Sequence, residues 1–308
     1  MNAVTHKIII MFVIMVVGFI CGKAGLITPS ANSKMSELLL FLVLPLTTFV
    51  SYLRDYSSEI AKNLLLSLIL AAVIHGISVG LALILITKKS HNREVEIMTA
   101  VFSNCAFVGI PIVESVFGSD GIIFLTMYVT VMNIVVWTYG VTLMTGENTL
   151  KDTLHHLCTP AIIAVGAGLL FFFCRIPLPD VIKEPLKLIG DMNTPLSMIV
   201  AGATLSKANF KEVLHRPRIL YIAALRQILF PAAAALIAAL FVKLGASPMP
   251  MTAVVIGAAC PTAVVNVNFA LKYQMDGVYA SEIFAFSTVI CAGTIPLILE
   301  FMKILGAY

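Results

Sequence analysis

The chain has 308 residues, of which 59% are hydrophobic and only 12% are charged, and its mean hydropathy is +1.00. Soluble domains contain about 45–50% apolar and about 25% charged residues, so this composition excludes an ordinary soluble protein. The net charge of +4 does not indicate nucleic-acid binding, because no run of Lys and Arg with interleaved aromatic residues accompanies it. The composition therefore predicts an all-α, polytopic membrane protein.

Ten stretches are apolar and long enough to be membrane-spanning helices, since about 20 residues cross the hydrocarbon core. In chain order we predict spans at 7–27, 35–53, 62–87, 95–117, 121–144, 157–175, 185–205, 216–242, 250–271 and 278–303. The first stretch follows Lys7 and resembles a signal peptide, but no convincing cleavage site of small residues comes after it. We therefore predict that it is retained as the first span.

The basic residues of the connections predict the orientation, because cytoplasmic connections are enriched in Lys and Arg. If the N-terminus lies outside, eleven basic residues fall in the cytoplasmic connections and eight in the outer ones. The two densest clusters, at 88–93 and 207–218, then both lie in the cytoplasm. We predict that both termini lie outside the cell membrane.

The sequence lacks the signatures of enzymes and of metal sites. It contains no G-x-x-x-x-G-K-S/T phosphate loop and neither an HExxH nor a GxSxG motif. The pair His155-His156 has no further ligands nearby. The cysteines form no CxxC pair and are typical of small buried side chains: they are Cys21, Cys105, Cys158, Cys174, Cys260 and Cys291. We predict that the protein is not an enzyme and has neither a cofactor nor a metal.

The two halves of the sequence, 1–150 and 151–308, resemble each other. Three short marks recur in the same order, which are Pro45-Leu46 as Pro195-Leu196, MTAV of 98–101 as MTAV of 251–254, and Asp120-Gly121 as Asp276-Gly277. Each half contains five predicted spans, so the second half enters the membrane from the opposite side. Such an inverted repeat is a common plan of secondary transporters, in which the binding site lies near the midplane between the halves.

The fourth and ninth spans contain residues that interrupt helices close to their centres. The fourth carries SNC at 103–105 and GIP at 109–111, and the ninth carries CPT at 260–262. Asn, Gly and Pro are poor helix formers, and Pro also lacks a backbone donor. Broken membrane helices occur where protein or water covers the free backbone groups. We predict that the two interruptions cross near the midplane, and a simple proline kink is the alternative.

A crossing of broken helices would place helix ends in the interior of the membrane. Each break exposes a helix N-terminus with free N–H groups and a positive partial charge, which suits a carboxylate. Broken C-terminal ends and amide oxygens suit a cation instead. The residues predicted to bind the substrate are Ser103, Asn104, Cys105, Cys260, Pro261 and Thr262.

Polar side chains inside the spans are candidates for ion or proton coupling: they are His75, Asn133, Asp191, Arg226 and Asn266. Other roles stay open, since His75 fits an interface of small residues and Asn133 fits ordinary hydrogen bonding between helices. Asp191 fits a bound proton or water. Arg226 fits an anion, a carboxylate partner or an extended side chain at the membrane surface. Coupling to H+, coupling to Na+ and uniport all remain open.

Five stretches, in order along the chain, resemble spans of the auxin efflux carrier family, which includes the PIN-type carriers. They are LVLPLTTFVSYL (42–53), SNCAFVGIPIVESVFG (103–118), LIGDMNTPLSMIVAGATL (188–205), LRQILFPAAAALIAALFVKLG (225–245) and CPTAVVNVNFALKYQ (260–274). In the fourth span the family carries an Asn seven residues before the Pro of a G-I-P triplet, and these positions are Asn104 and Pro111 here. The likeness covers almost the whole chain.

The resemblance implies ten spans, an outer N-terminus and crossed fourth and ninth helices. It implies a scaffold of spans 1, 2, 6 and 7, through which a homodimer forms, and a mobile unit of spans 3–5 and 8–10 that moves like an elevator. Family members carry organic anions, which are auxin in the PIN type and malonate- or malate-like acids in microbial relatives. Two departures, Ser103 in place of Pro and a connection of about ten residues from Glu147 to His156, indicate a short, microbial-type member in a prokaryotic inner or plasma membrane.

The predicted function is therefore secondary transport of a small organic anion, a carboxylate such as malonate, malate or an auxin-like acid. An anion channel or a substrate-gated membrane sensor on the same scaffold is the alternative. The predicted partners are the organic anion, membrane lipid and a second copy of the chain.

Overall fold

The computed structural model describes residues 3–88, 90–146, 159–207, 213 and 215–308. The described chain is helical, and its one extended pairing is an antiparallel bridge between Ser103 and Thr262. The predicted short connection 147–156, with the pair His155-His156, and Cys158 lie outside the described residues.

Sixteen α-helices, numbered here in chain order, occupy the described residues. They are α1 Ala3–Lys23, α2 Pro29–Leu38, α3 Leu44–Ser51, α4 Ser58–Leu85, α5 Arg93–Val101, α6 Ile110–Phe117, α7 Ser119–Val135, α8 Val141–Thr145, α9 Pro160–Cys174, α10 Asp180–Gly190, α11 Asn193–Leu205, α12 Pro217–Ala224, α13 Phe230–Lys243, α14 Pro248–Ala259, α15 Val264–Lys272 and α16 Gly277–Ile304. Four π-helical turns precede α3, α6, α8 and α13, at Leu39–Val43, Cys105–Gly109, Val136–Gly140 and Leu225–Leu229.

Several helices are long and apolar enough to cross a membrane. Five such segments are Pro29–Ser51, Ser58–Leu85, Ser119–Thr145, Pro217–Lys243 and Gly277–Ile304. Four shorter apolar helices are Ile8–Lys23, Cys105–Phe117, Pro160–Cys174 and Pro248–Ala259. The prediction of an all-α membrane protein is confirmed, whereas the count of ten spans stays a prediction, because several predicted spans are divided into shorter helices.

Prolines follow three of the four π-helical turns. A proline ring clashes with the carbonyl four residues earlier and supplies no N–H, so the preceding turn must adjust. Pro45, Pro111 and Pro231 each lie in the first turn of an α-helix that directly follows a π-helical turn. The wider turn allows the helix to continue through the proline instead of ending there.

Side-chain caps fix the starts of four helices, among them α4, where the Ser57 hydroxyl accepts from the Glu59 N–H at 3.2 Å. The Thr28 hydroxyl accepts from the Ala31 N–H at the start of α2, and the Thr159 hydroxyl accepts from Ile162 at the start of α9. The Asp276 carboxylate accepts from the Tyr279 N–H at 2.9 Å and begins α16. These caps satisfy donors that the first turn of a helix leaves free.

The helices pack most extensively within two groups. In one group α1 packs along α11, while α9 and α10 pack against α3. In the other group α4, α7 and α14 pack together, and α13 and α16 join them. A smaller set of contacts, chiefly of α1 with α6 and of α3 with α7, connects the groups.

The cysteines differ in burial. Cys105, Cys260 and Cys291 are buried and Cys21 is half-buried, all as free thiols. The prediction of a buried side chain is wrong for Cys174, which is exposed because it lies in the last turn of α9. No group of three metal-ligating side chains occurs among the described residues.

Candidate functional site

The interruptions of the fourth and ninth predicted spans lie against each other. Helix α5 ends at Val101 and α14 at Ala259, and an extended segment follows each of them. The Asn104 N–H donates to the Pro261 carbonyl at 2.7 Å, and the Ala263 N–H donates to the Phe102 carbonyl at 3.0 Å. These two bonds satisfy backbone groups that would be costly to expose to lipid. We call residues 102–105 and 260–263 the junction.

Side chains fasten the junction to its surroundings. The Thr262 hydroxyl donates to the Thr99 carbonyl in the last turns of α5. The Ser287 hydroxyl of α16 accepts from the Thr262 N–H at 3.1 Å. The Asn266 amide nitrogen donates to the Phe102 carbonyl at 3.1 Å. All three of these side chains are fully buried, so the junction is held from several directions.

The Arg226 side chain donates hydrogen bonds to carbonyl groups at the C-terminal ends of both broken helices, α5 and α14. Its Nε and Nη2 donate to the Cys260 carbonyl at 2.9 Å, and Nη2 also donates to the Ala258 carbonyl at the end of α14. Its Nη1 donates to the carbonyls of Ala100 and Val101, at 3.2 and 3.0 Å, at the end of α5. The guanidinium has five N–H donors, and these bonds use all of them. A positive charge at helix C-termini also compensates their negative partial charge.

Four side chains near the junction each have one buried polar atom without a partner. These atoms are Asn104 Nδ2, Asn266 Oδ1, Gln227 Nε2 and His75 Nε2. Leaving a polar atom buried and unpaired costs about 1–3 kcal/mol. Such groups gather where a ligand or water completes the hydrogen bonding, which makes the junction the candidate site.

The junction brings together most of the predicted site residues. The side chains of Ser103, Cys105 and Cys260, however, contact neighbouring protein atoms. The Ser103 hydroxyl donates to the Tyr128 hydroxyl at 3.4 Å. The Cys105 sulfur lies 3.4 Å from the Met132 sulfur, and the Cys260 thiol donates to the Ile256 carbonyl. We therefore assign these three side chains to packing around the junction and leave Asn104 as its free polar group.

The remaining coupling candidates lie at different distances from the junction. His75 stacks on the Tyr128 ring, with 4.6 Å between ring centroids, and so connects to Ser103 through that tyrosine. Asn133 is half-buried on α7, next to Met132. Asp191 is exposed in the turn between α10 and α11 and does not join the junction.

Comparison with known protein families identifies the family of this chain. A family model described as membrane transport protein matches residues 3–151 and a second time 147–299. The chain belongs to this membrane transport protein family. It is the auxin efflux carrier family that the sequence motifs resemble, so the prediction of family is confirmed.

A curated relative is an uncharacterized transporter of Methanothermobacter thermautotrophicus (strain Delta H). It is 22% identical over 300 residues, which cover 95% of this chain and 96% of that protein. Family membership and the apolar helices together establish a multi-pass membrane transporter.

This membrane transport protein also contains a cluster of charged side chains whose pairing was not predicted from the sequence. Glu96, which is 1% exposed, accepts from Arg218 Nε at 2.8 Å and Nη2 at 2.6 Å, and from the Tyr279 hydroxyl at 3.1 Å. Arg216 donates to Glu282 at 2.6 Å. The cluster ties together the starts of α5, α12 and α16. The feature of the sequence that could have indicated this cluster is a carboxylate or an arginine at the start of three apolar stretches.

Proposed function

We propose that this transporter carries a small organic anion, a carboxylate such as malonate, malate or an auxin-like acid, and binds it at the junction. The observation that carries the proposal is the buried, unpaired Nδ2 of Asn104, the residue that directly precedes the turn Cys105–Gly109. This amide donor lies where the chain re-enters a helix, so it adds to the free N–H groups and positive partial charge of that helix end. A carboxylate is the ligand that such donors suit.

Arg226 supports an anion rather than a cation at this place. The carbonyl ends of α5 and α14 are the groups that would coordinate a cation, and the guanidinium already occupies them. The guanidinium offsets the negative partial charge of these C-terminal ends, so the free N–H groups where the chain re-enters helices, at Cys105 and Val264, leave the junction electropositive. All five N–H donors of Arg226 are in use, so Arg226 would not bond to the substrate directly. It would attract the substrate through the electrostatic field of its charge and would hold the junction in shape.

The two helix groups support an elevator-like movement with alternating access. We propose that α1–α3 and α9–α11 form the scaffold, and that α4–α8 and α12–α16 carry the junction across the membrane. Direct polar bonds between the described residues of the two groups are few. Tyr52 Oη lies 2.6 Å from Thr126 Oγ1, the Thr194 hydroxyl donates to the Glu114 carboxylate at 2.6 Å, and the Arg54 guanidinium donates to Asp120 and Ser119. A sliding interface needs few such bonds, since each must break in every cycle.

The proposal also includes an inverted repeat, a homodimer and a location in the cell membrane. The family match covers the two halves separately, which supports an inverted repeat of 1–150 and 151–308. A homodimer would form through the scaffold, in a prokaryotic cell membrane with both termini outside. Coupling to H+ or Na+ would use His75, Asn133, Asp191 or Asn266, since the donors of Arg226 are already engaged.

The direct test is uptake of labelled malonate and malate into proteoliposomes. We expect saturable uptake with counterflow, and a loss of at least about tenfold in Asn104→Ala, because a charge-assisted hydrogen bond contributes about 1.5–3 kcal/mol. Asn268→Ala is the matched control, since Asn268 is exposed on α15. Equal uptake by Asn104→Ala and the unchanged protein would contradict the site, and flux that never saturates would indicate a channel.

A further inference from the structure

A second cavity with a basic lining lies outside the junction. It has a volume of about 720 Å³, opens to the surface and lies where α3 and α9 end. Its lining includes Arg54, Arg175 and Lys183, and Asp55 is the one carboxylate among the lining residues that the structure describes. The distribution of basic residues predicts that these connections face the outside of the cell. The cavity is therefore electropositive and accessible from that side.

Arg175 is held in place by its backbone and by an aromatic ring. It ends α9 in the left-handed conformation, with φ of 53° and ψ of 41°, which turns the chain sharply into the segment that follows. Its guanidinium lies 4.7 Å from the centre of the Tyr56 ring, a cation–π contact. Tyr56 itself packs on Phe172 and Phe173. A positioned guanidinium loses less side-chain entropy when it binds an anion.

Arg54 connects this cavity to the other helix group. Its Nε donates to the Ser51 carbonyl at 2.8 Å, at the end of α3. Its Nη1 donates to the Asp120 carboxylate at 3.0 Å and its Nη2 to the Ser119 carbonyl at 3.1 Å, both at the start of α7. The same guanidinium therefore lines the cavity and bridges the proposed scaffold to the proposed moving unit. An anion in the cavity and the Asp120 carboxylate would therefore share the positive charge of Arg54.

We propose that this cavity is a second anion site, which binds a small carboxylate from outside and weakens the Arg54–Asp120 bridge when occupied. The carboxylate is the cargo class of the proposed function, and in that respect the inference rests on it. The site would collect the anion at the surface and favour opening of the interface beneath it. Guanidinium groups bind carboxylates through paired, charge-assisted hydrogen bonds, and Lys183 adds a further point charge.

Binding is measured with the purified full-length protein in detergent, in Asn104→Ala, so that the junction does not contribute. Malonate is titrated by calorimetry at low salt. We expect saturable binding that weakens about tenfold or more in Arg175→Gln/Lys183→Gln, since each charge-assisted bond contributes about 1.5 kcal/mol or more. Lys243→Gln, an exposed lysine at the end of α13, is the matched control and should bind as before.

Asp120→Asn tests the bridge itself. Removing the competing carboxylate frees Arg54, so malonate should bind about two- to fivefold more tightly, the factor that corresponds to an exposed ion pair. Weaker or unchanged binding in Asp120→Asn would overturn the competition between Asp120 and the anion.

Three other results would contradict the proposed second site. Absence of saturable malonate binding, equal binding by the double variant, or binding of phosphatidylglycerol in place of malonate would each overturn the second site. Proteoliposome uptake by the unchanged protein and by Asn104→Ala tests the proposed function separately. Cavity binding without any uptake would count against the transport proposal alone, and uptake without cavity binding against this inference alone.

Discussion

Arg226 is the residue on which the geometry of the junction depends. A broken helix inside a membrane leaves carbonyl groups that lipid cannot satisfy. Here one side chain, 1% exposed, reaches four such carbonyls from two helices. The sequence marked Arg226 as a polar residue inside a span, and several roles were open to it. The contacts show a role that the sequence did not suggest, a fixed counter-charge for two helix ends.

Replacing Arg226 should destabilise the protein strongly. Arg226→Met removes all five donors and leaves buried carbonyls unpaired, so we expect the free energy of unfolding to fall by about 3–5 kcal/mol. Arg226→Lys keeps the charge but has fewer donors, and its effect should be intermediate. Thermal unfolding in detergent measures both, with Lys272→Met, an exposed position, as control. Unchanged stability of Arg226→Met would contradict the capping role.

At the scale of the element, the sequence located the breaks and the structure determined how they are used. Helix-breaking residues at 103–111 and 260–262 predicted two interruptions, and α5 and α14 do end there. The same reasoning did not find the division of the seventh predicted span at Asp191 and Met192. Gly190 and Pro195 flank that point, but a single proline in a membrane span also fits a kinked, continuous helix, so the local pattern gave a weak signal.

The contact between α1 and α11 depends on small residues. A Cβ at Gly202 would overlap the Met15 carbonyl oxygen, and one at Gly18 would overlap Ile199. Gly202→Val should therefore lower the free energy of unfolding by about 1–3 kcal/mol, since the helices must separate to fit the new atoms. Gly166→Val is the control, because nothing lies within 4 Å of an added Cβ there. If the two variants melt alike, helix propensity rather than close packing explains the effect.

The bond between Glu96 and Arg218 joins the starts of α5 and α12. Both contacts are short and Glu96 is buried, so the pair should be more strongly coupled than an exposed one. A double-mutant cycle of Glu96→Gln and Arg218→Gln should give about 1–2 kcal/mol of coupling energy. The same cycle on the exposed pair Lys34 and Glu37 should give less than about 1 kcal/mol. Equal values in the two cycles would argue against a structural role for Glu96.

At the scale of the whole molecule, two groups of helices are joined by a few polar bonds. Tyr52 and Arg54, both at the end of α3, bond to Thr126 and Asp120 of α7. The Glu114 carboxylate of α6 accepts from Thr194 of α11. These bonds lie on the side of the 52–57 connection. A movement of one group against the other must break them.

Tyr52→Phe should therefore change the balance between conformations of the transporter. The lost bond to Thr126 contributes about 0.5–1.5 kcal/mol, so the rate of substrate counterflow should change by about two- to tenfold. Tyr139→Phe is a matched control, because the Tyr139 hydroxyl is buried without a partner and its removal breaks no bond. Identical rates in Tyr52→Phe and the unchanged protein would show that this bond does not limit the movement.

The sequence by itself determined the class of the protein, the places of most helices and the two interruptions, because apolar length and helix-breaking residues are local properties. It determined the family through motifs that run along almost the whole chain. Only the tertiary structure decided that Arg226 closes both broken ends, that Ser103 and Cys105 face α7, and that Glu96 pairs with Arg218. The residues in these contacts are separated by up to 126 positions, and side-chain spacing along the chain carries no information about pairs so distant. They meet because buried donors and carbonyls in a membrane interior must find partners within the protein.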